Sequence, residues 1–147
     1  MPDEAKVRAG PVWWPRLIAS DACQEWRELR VWVERLVDRF GLDVRAVPPC
    51  WYRHNGLVEA LAALRDCERA CYAPTASPAG GVEWLRALRD TERFCRDAAA
   101  RTGCSANEHR PDPARAWQTD DAEWEIFVHA DAQARANAPI AIALGGE

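Results

Sequence analysis

Two short residue pairs carry the most distinctive chemistry in this sequence: Cys50 with His54, and Cys104 with His109. A thiol and an imidazole four or five positions apart, in a loop or at a helix edge, can converge on one ion. Together the pairs make a Cys2His2 set, which fills the four-coordinate tetrahedral shell that zinc favours. A filled shell leaves no position for water or substrate, so the expected cofactor is a structural Zn2+. Such a clip closes a long loop, the situation in which a cross-link restricts the unfolded chain most. The plainer reading of the same residues is a buried Cys50, a His54 at a helix start and a solvent-facing Cys104–His109 pair. The two halves lie far apart and resemble no classical finger.

Other candidates compete for attention. Cys67 and Cys71 stand at i and i+4 and share one helical face, so both sulfurs could reach one ion. They share that face with Leu57, Leu61 and Leu64, which makes core packing the favoured expectation for them. Cys23 and Cys95 are expected as core or half-buried thiols. A Cys–His nucleophile with a carboxylate such as Glu68 has no Gly-rich oxyanion loop or phosphate cradle beside it, so no enzyme is expected. His129 reads as a solvent-facing helix residue. Arg86, Arg89, Arg93 and Arg96 form one stripe that could follow a phosphate backbone or contact a partner. Glu83, Asp90 and Asp97 run beside it and blunt its field.

The elements that must position these residues are helical. Asp21 and Gln24 have the spacing of a capping box ahead of Trp26, Leu29, Val33, Leu36, Val37 and Phe40, which recur at helical spacing. Glu25 and its charged neighbours fill the other side, and Gly41 ends the helix. Asn55 caps a second helix from about Gly56 to Tyr72, stopped by Pro74. Its apolar face has Glu68 near the centre, a carboxylate that needs an arginine or an indole N–H from another helix. The third helix runs from about Val82 to Arg101, after a Ser77–Pro78 turn. Its inner face is Trp84, Leu85, Leu88, Cys95 and Ala99, and Gly103 ends it. In the tail, Asp120 or Asp121 caps a helix to about Asn137 that carries Trp124, Phe127 and Val128 inward. Trp124, Ile126 and Val128 also alternate as a strand would, as do Ile140, Ile142 and Leu144; the Ala-rich continuation favours the helix.

The expected fold is therefore all-α. Three helices pack around Trp26, Leu29, Val33, Leu36, Leu61, Leu64, Trp84 and Leu88, with a fourth C-terminal helix and a structural zinc as staple. Residues 1–19 form an arm, 20–113 the helical domain and 114–147 a C-terminal extension. Trp13 and Trp14 in the arm are candidate partner contacts, since aromatic residues dominate interface hot spots.

Composition narrows the function classes. The 147 residues are 48% hydrophobic and 29% charged, with a net charge of −4 that disfavours nucleic acid as the main partner. Arginine supplies all the basic residues but Lys6, and 8 tryptophans outnumber the other aromatic residues. No run approaches the ~18 apolar residues of a membrane span. The start, MPDEAKVRAGPVWWPRL, lacks the layout of a secretory signal, so a cytoplasmic location is expected. Six cysteines in such a chain read as metal ligands or core thiols, not disulfides.

The runs WRELRVWVERL (26–36), CWYRH (50–54) and LAALRDCERA (61–70) resemble an actinobacterial family of small proteins of unknown function, common on phages, prophages and conjugative plasmids. Its pattern is a Trp-bearing first helix, a Cys/Trp/His stretch, a Leu-rich helix with a Glu, and a third Trp-bearing helix closing on a Cys and a His. Cys50, Trp51, His54, Glu68, Trp84, Cys104 and His109 occupy those places, over roughly residues 22–110. Cys67 stands where an aromatic is usual, and the third helix enters its Cys without the usual Gly-Pro-Phe. The resemblance implies a metal site at the four Cys and His residues and supplies no activity. The resulting expectation is a non-enzymatic, zinc-stapled adaptor of a mobile element acting on another protein. The alternatives are a nucleic-acid-associated accessory factor using the Arg86–Arg96 stripe, and a thiol-dependent redox factor.

Overall fold

The periodic segments fold as helices in this computed structural model, which describes residues 10–114 and 117–138 and contains no strand among them. Four helices follow in order: α1 (Ala19–Phe40), α2 (Asn55–Cys71), α3 (Gly80–Thr102) and α4 (Asp121–Asn137). Single helical turns occupy Trp14–Arg16 and Trp51–Arg53. The chain divides into two compact units, residues 1–113 with α1 to α3 and residues 114–147 with α4. No helix among the described residues is long and apolar enough to cross a membrane.

In α1, Leu29, Val33 and Leu36 are buried, and Val37 and Phe40 are half-buried beside them. Gly41 ends the helix in the left-handed conformation, and Leu42 N–H returns to the Val37 carbonyl. The start differs from the expected capping box. Helical hydrogen bonding begins earlier, with Ala22 N–H on the Ile18 carbonyl at 2.9 Å, so Asp21 lies inside the first turn. Gln24 instead donates to Glu28 at 2.9 Å. Trp26 is not a core residue but a rim one, 36% exposed and held between Trp14 at 4.5 Å and Trp51 at 6.4 Å.

Leu57, Leu61 and Leu64 of α2 are buried as expected, joined by Val58, Ala62 and Arg65, and α2 packs against both α1 and α3. Asn55 is the first helical residue, not its cap. The His54 carbonyl already accepts from Leu57 and Val58 N–H, which starts the helix one residue early. Glu68 accepts a 3.3 Å hydrogen bond from the Trp32 indole of α1, the type of partner its position demands. Glu25, expected on the wet side, is buried and accepts from Arg65 Nη2 at 2.9 Å.

Trp84, Leu88, Cys95 and Ala99 are the buried side of α3, and Phe40 of α1 meets the Trp84 ring at 6.3 Å. Leu85 is 56% exposed rather than inward. A helix with 3.6 residues per turn rotates about 100° per residue, so one step from Trp84 leaves the core face. At the helix start, Gly80 N–H donates to the Ser77 carbonyl at 2.8 Å, and Ala79 N–H to the Ser77 hydroxyl at 3.1 Å.

Gly80 is buried against the last residue of α2. A Cβ there would overlap the Cys71 carbonyl oxygen and lie 3.1 Å from its carbon, both backbone atoms. At Gly81 a Cβ would meet only the Tyr72 hydroxyl, at 3.5 Å. Helix propensity alone favours alanine over glycine by about 1 kcal/mol. Gly81→Ala should therefore be neutral or stabilising in urea unfolding, whereas Gly80→Ala should cost about 1–3 kcal/mol from overpacking. Equal effects at the two positions would contradict the close approach of α2 and α3.

In the second unit, the Asp120 carboxylate caps α4 by accepting from Glu123 N–H at 2.9 Å. This overturns the strand alternative for Trp124–Val128. The side chains, however, are not inward: Trp124, Ile126, Phe127 and Val128 are all exposed. Ile126 falls on the opposite side of the helix from Trp124, so the apolar residues form no single stripe. The alternation at Ile140, Ile142 and Leu144 lies outside the described residues.

Candidate metal centre

The Cys50–His54 half of the site is built by a buried loop. Ala46, Val47 and Pro48 are inside the protein and deliver Cys50 to the single turn Trp51–Arg53. Buried Trp51 packs on Trp26 and anchors that turn, and His54 N–H closes it on the Trp51 carbonyl at 3.1 Å. The turn brings His54 Nε2 to 3.6 Å from Cys50 Sγ.

The other half depends on the end of α3. Gly103 takes a φ of 73°, a left-handed conformation that costs glycine little, and the chain reverses there. Thr102 Oγ1 donates to the Ala99 carbonyl at 2.7 Å and accepts from Cys104 N–H at 3.1 Å, which fixes where the cysteine leaves the helix. Ser105 N–H on the Glu108 carbonyl, at 2.9 Å, folds the following residues back. Cys104 Sγ then lies 3.3 Å from His54 Nε2 and 3.8 Å from His109 Nδ1.

All four ligand atoms of Cys50, His54, Cys104 and His109 lie within 4.8 Å of one another, and these residues form the one such group among the described residues. The spacings can be compared with a coordination shell. Bonds of about 2.3 Å to sulfur and 2.0–2.1 Å to nitrogen, arranged tetrahedrally, place ligand atoms roughly 3.3–3.8 Å apart. The three distances above, 3.3, 3.6 and 3.8 Å, fall in that range. Cys50 and His54 are buried, and Cys104 and His109 half-buried, so the group sits at the edge of the core. The group can hold a metal ion.

Its surroundings favour the ligand forms of Cys104 and His109. Burial pushes the Cys104 thiol up, but the Thr102 hydroxyl, the Arg110 amide, Cys50 and His54 outweigh it and bring the thiol down to about 7. The Arg110 N–H donates directly to the sulfur at 3.2 Å. Burial and the neighbouring Cys104 raise the Cys50 thiol, so Cys104 gives up its proton first. Burial, then Arg53 and His54, lower the His109 imidazole and favour the neutral form that ligates metals.

Asp112, a residue the sequence did not mark, orients His54. Its Oδ1 lies 2.8 Å from Nδ1 of the buried imidazole. With Nδ1–H donating to that carboxylate, Nε2 presents its lone pair to the sulfurs, the arrangement typical of metal-bound histidine. Asp112→Ala should weaken metal binding about 10- to 100-fold in chelator competition while preserving the helical fold. An unchanged affinity would remove Asp112 from the site.

The remaining candidates lie elsewhere. Cys67 and Cys71 are half-buried, 3.8 Å apart, and outside the four-residue group. Cys95 is a core thiol, whereas Cys23 is exposed, about 200° around α1 from buried Glu25. Arg86, Arg89 and Arg93 are exposed on α3, but Arg96 is half-buried and tied to Glu92 at 2.9 Å and Asp43 at 3.3 Å. The four arginines are therefore not one free stripe. Trp14 is docked on Trp26, Trp13 is 65% exposed, and His129 is exposed on α4. No protein family, curated protein or solved structure matches the chain.

Proposed function

We propose that this is a non-enzymatic, zinc-stapled helical adaptor that works through contacts with another protein. The observation that carries the reading is the convergence of Cys50, His54, Cys104 and His109 on one point. Two cysteines and two histidines are a donor set suited to zinc. Four protein ligands leave no open position, so the ion contributes folding free energy and holds the loop before α2 to the segment after α3. Recognition then falls to the surface, where Trp13, Tyr52, Trp117 and Trp124 are all more than half exposed. The sequence resemblance to the phage and plasmid family adds a mobile-element origin to this reading.

Elemental analysis of protein purified without chelator should find one zinc per chain. Cobalt(II) substituted for zinc should give the intense visible bands of a four-coordinate thiolate–imidazole site, unmoved by added azide. Protein without metal would sink the staple. A cobalt spectrum that azide changes would reveal an open position and move the reading toward catalysis.

A further inference from the structure

We propose that Cys67 and Cys71 form a second binding site, a dithiol clamp for a trivalent arsenical, separate from the four-ligand group. The two sulfurs lie 3.8 Å apart on the last turns of α2, both half-buried and both free thiols. Their i, i+4 spacing on a helix fixes the pair in advance, so little ordering is needed when they bind together.

The number of available donors selects the ligand. Among the described residues no third Cys, His or carboxylate joins this pair within ligand reach. A zinc ion would lack two protein ligands here. A linear two-coordinate ion would hold its sulfurs about 4.6 Å apart at a metal–sulfur bond of ~2.3 Å, wider than this pair stands. Trivalent arsenic is pyramidal: it takes two sulfurs on one side and carries its own substituent as the third. An organoarsenical oxide reacts without change of oxidation state. Two arsenic–sulfur bonds form, the bonds from arsenic to oxygen break, and the oxygen leaves as water with the two thiol protons.

The surroundings do not suit thiol redox catalysis. Burial, then Cys71 and Glu83, push the Cys67 thiol up, opposite to the depressed thiol of a disulfide oxidoreductase. The clamp also sits where the two helices approach closely, since the Cys71 carbonyl packs against Gly80 at the start of α3.

Zinc-loaded protein treated with phenylarsine oxide and examined by native mass spectrometry should gain one arsenical per chain, lose one water and keep its zinc. A dithiol should strip the adduct while an equal thiol concentration of a monothiol leaves it, the signature of two-point binding. Cys67→Ser and Cys71→Ser should each abolish the stable adduct, and Cys23→Ser should not. Circular dichroism on each variant confirms the fold, and Cys67→Ala supplies a second replacement should serine disturb it. The proposal is overturned if wild-type protein takes no arsenical. Retention of the adduct by the Cys67→Ser/Cys71→Ser double variant would overturn it too. So would an adduct that expels zinc and maps to Cys50 and Cys104. If the chain purifies without zinc, the same variants still locate the arsenical, so failure of the staple and of the clamp are told apart.

Discussion

Cys50→Ser and His109→Ala proteins should purify without zinc and melt about 15 °C or more below the wild type. A ligand that binds only the folded chain stabilises it by about 4 kcal/mol when present at a thousand times its dissociation constant. For a domain of this size each kcal/mol moves the melting point by several degrees. The whole stability of such a domain is about 5–15 kcal/mol, so loss of the ion removes a large part of it. Cys23→Ser, at an exposed thiol outside the group, should keep both zinc and melting temperature. The metal-free protein should show a further dependence on pH. The Cys104 thiol is lowered from 9.0 to about 7 in the folded chain. A depressed pKa contributes stability that is full above the unfolded value and fades as pH falls through the folded one. Stability of the metal-free fold should thus decline from pH 9 to below 7, and Cys104→Ser should flatten that decline. A wild-type melting point that ignores both chelator and zinc would leave the four residues as packing only.

The helices could be read from the sequence because periodic apolar residues specify which face is buried. Leu29, Val33 and Leu36, or Leu57, Leu61 and Leu64, leave one stripe to hide, and they are buried. The meeting of the two distant Cys–His motifs was only partly legible, since the same residues also read as a buried Cys50, a helix-start His54 and a solvent-facing Cys104–His109 pair; residue types made a shared site conceivable, and the fold brings the four together. What escaped depends on contacts between elements. Asp112 acquires its role only when the segment after α3 returns to His54, and nothing in the Pro111–Asp112–Pro113 run declares a partner 58 residues away. The residue type of Leu85 points inward, but its angular position turns it outward. The aromatic residues of α4 likewise point inward by type, but Ile126 opposite Trp124 denies the helix a single apolar side. Glu25 escaped by the same habit in reverse. It precedes Leu29 by four, on the buried stripe, and Arg65 follows Leu61 by four on the facing helix. Position pointed inward at both, and charge argued outward.

Removing either member of that pair should be among the most damaging single changes in the helical core. Arg65 and Glu25 side chains are 6% and 11% exposed, with Nη2 and Oε2 at 2.9 Å. Truncating one member of a buried ion pair costs about 3–5 kcal/mol, because the survivor keeps its desolvation penalty and loses that attraction. Glu25→Ala and Arg65→Ala should each lower the unfolding free energy by that amount, seen as a lower urea midpoint with little change in m. The pair is nevertheless not expected to be a net source of stability. Arg65 Nε and Nη1 are buried without hydrogen-bond acceptors, the nearest carboxylate to Nε being Asp66 at 3.8 Å. Each such donor forfeits water for nothing in return, at about 1–3 kcal/mol. Replacing both residues by apolar ones of similar volume, Glu25→Leu with Arg65→Met, should therefore recover the loss and equal or exceed wild-type stability. The double variant decides what the pair does. If it is as unstable as the single variants, the ion pair holds α1 to α2 energetically. If it is stable but loses the sharp unfolding transition, the pair fixes the register in which the two helices meet, since Arg65 of α2 reaches Glu25 of α1 in one alignment of the two.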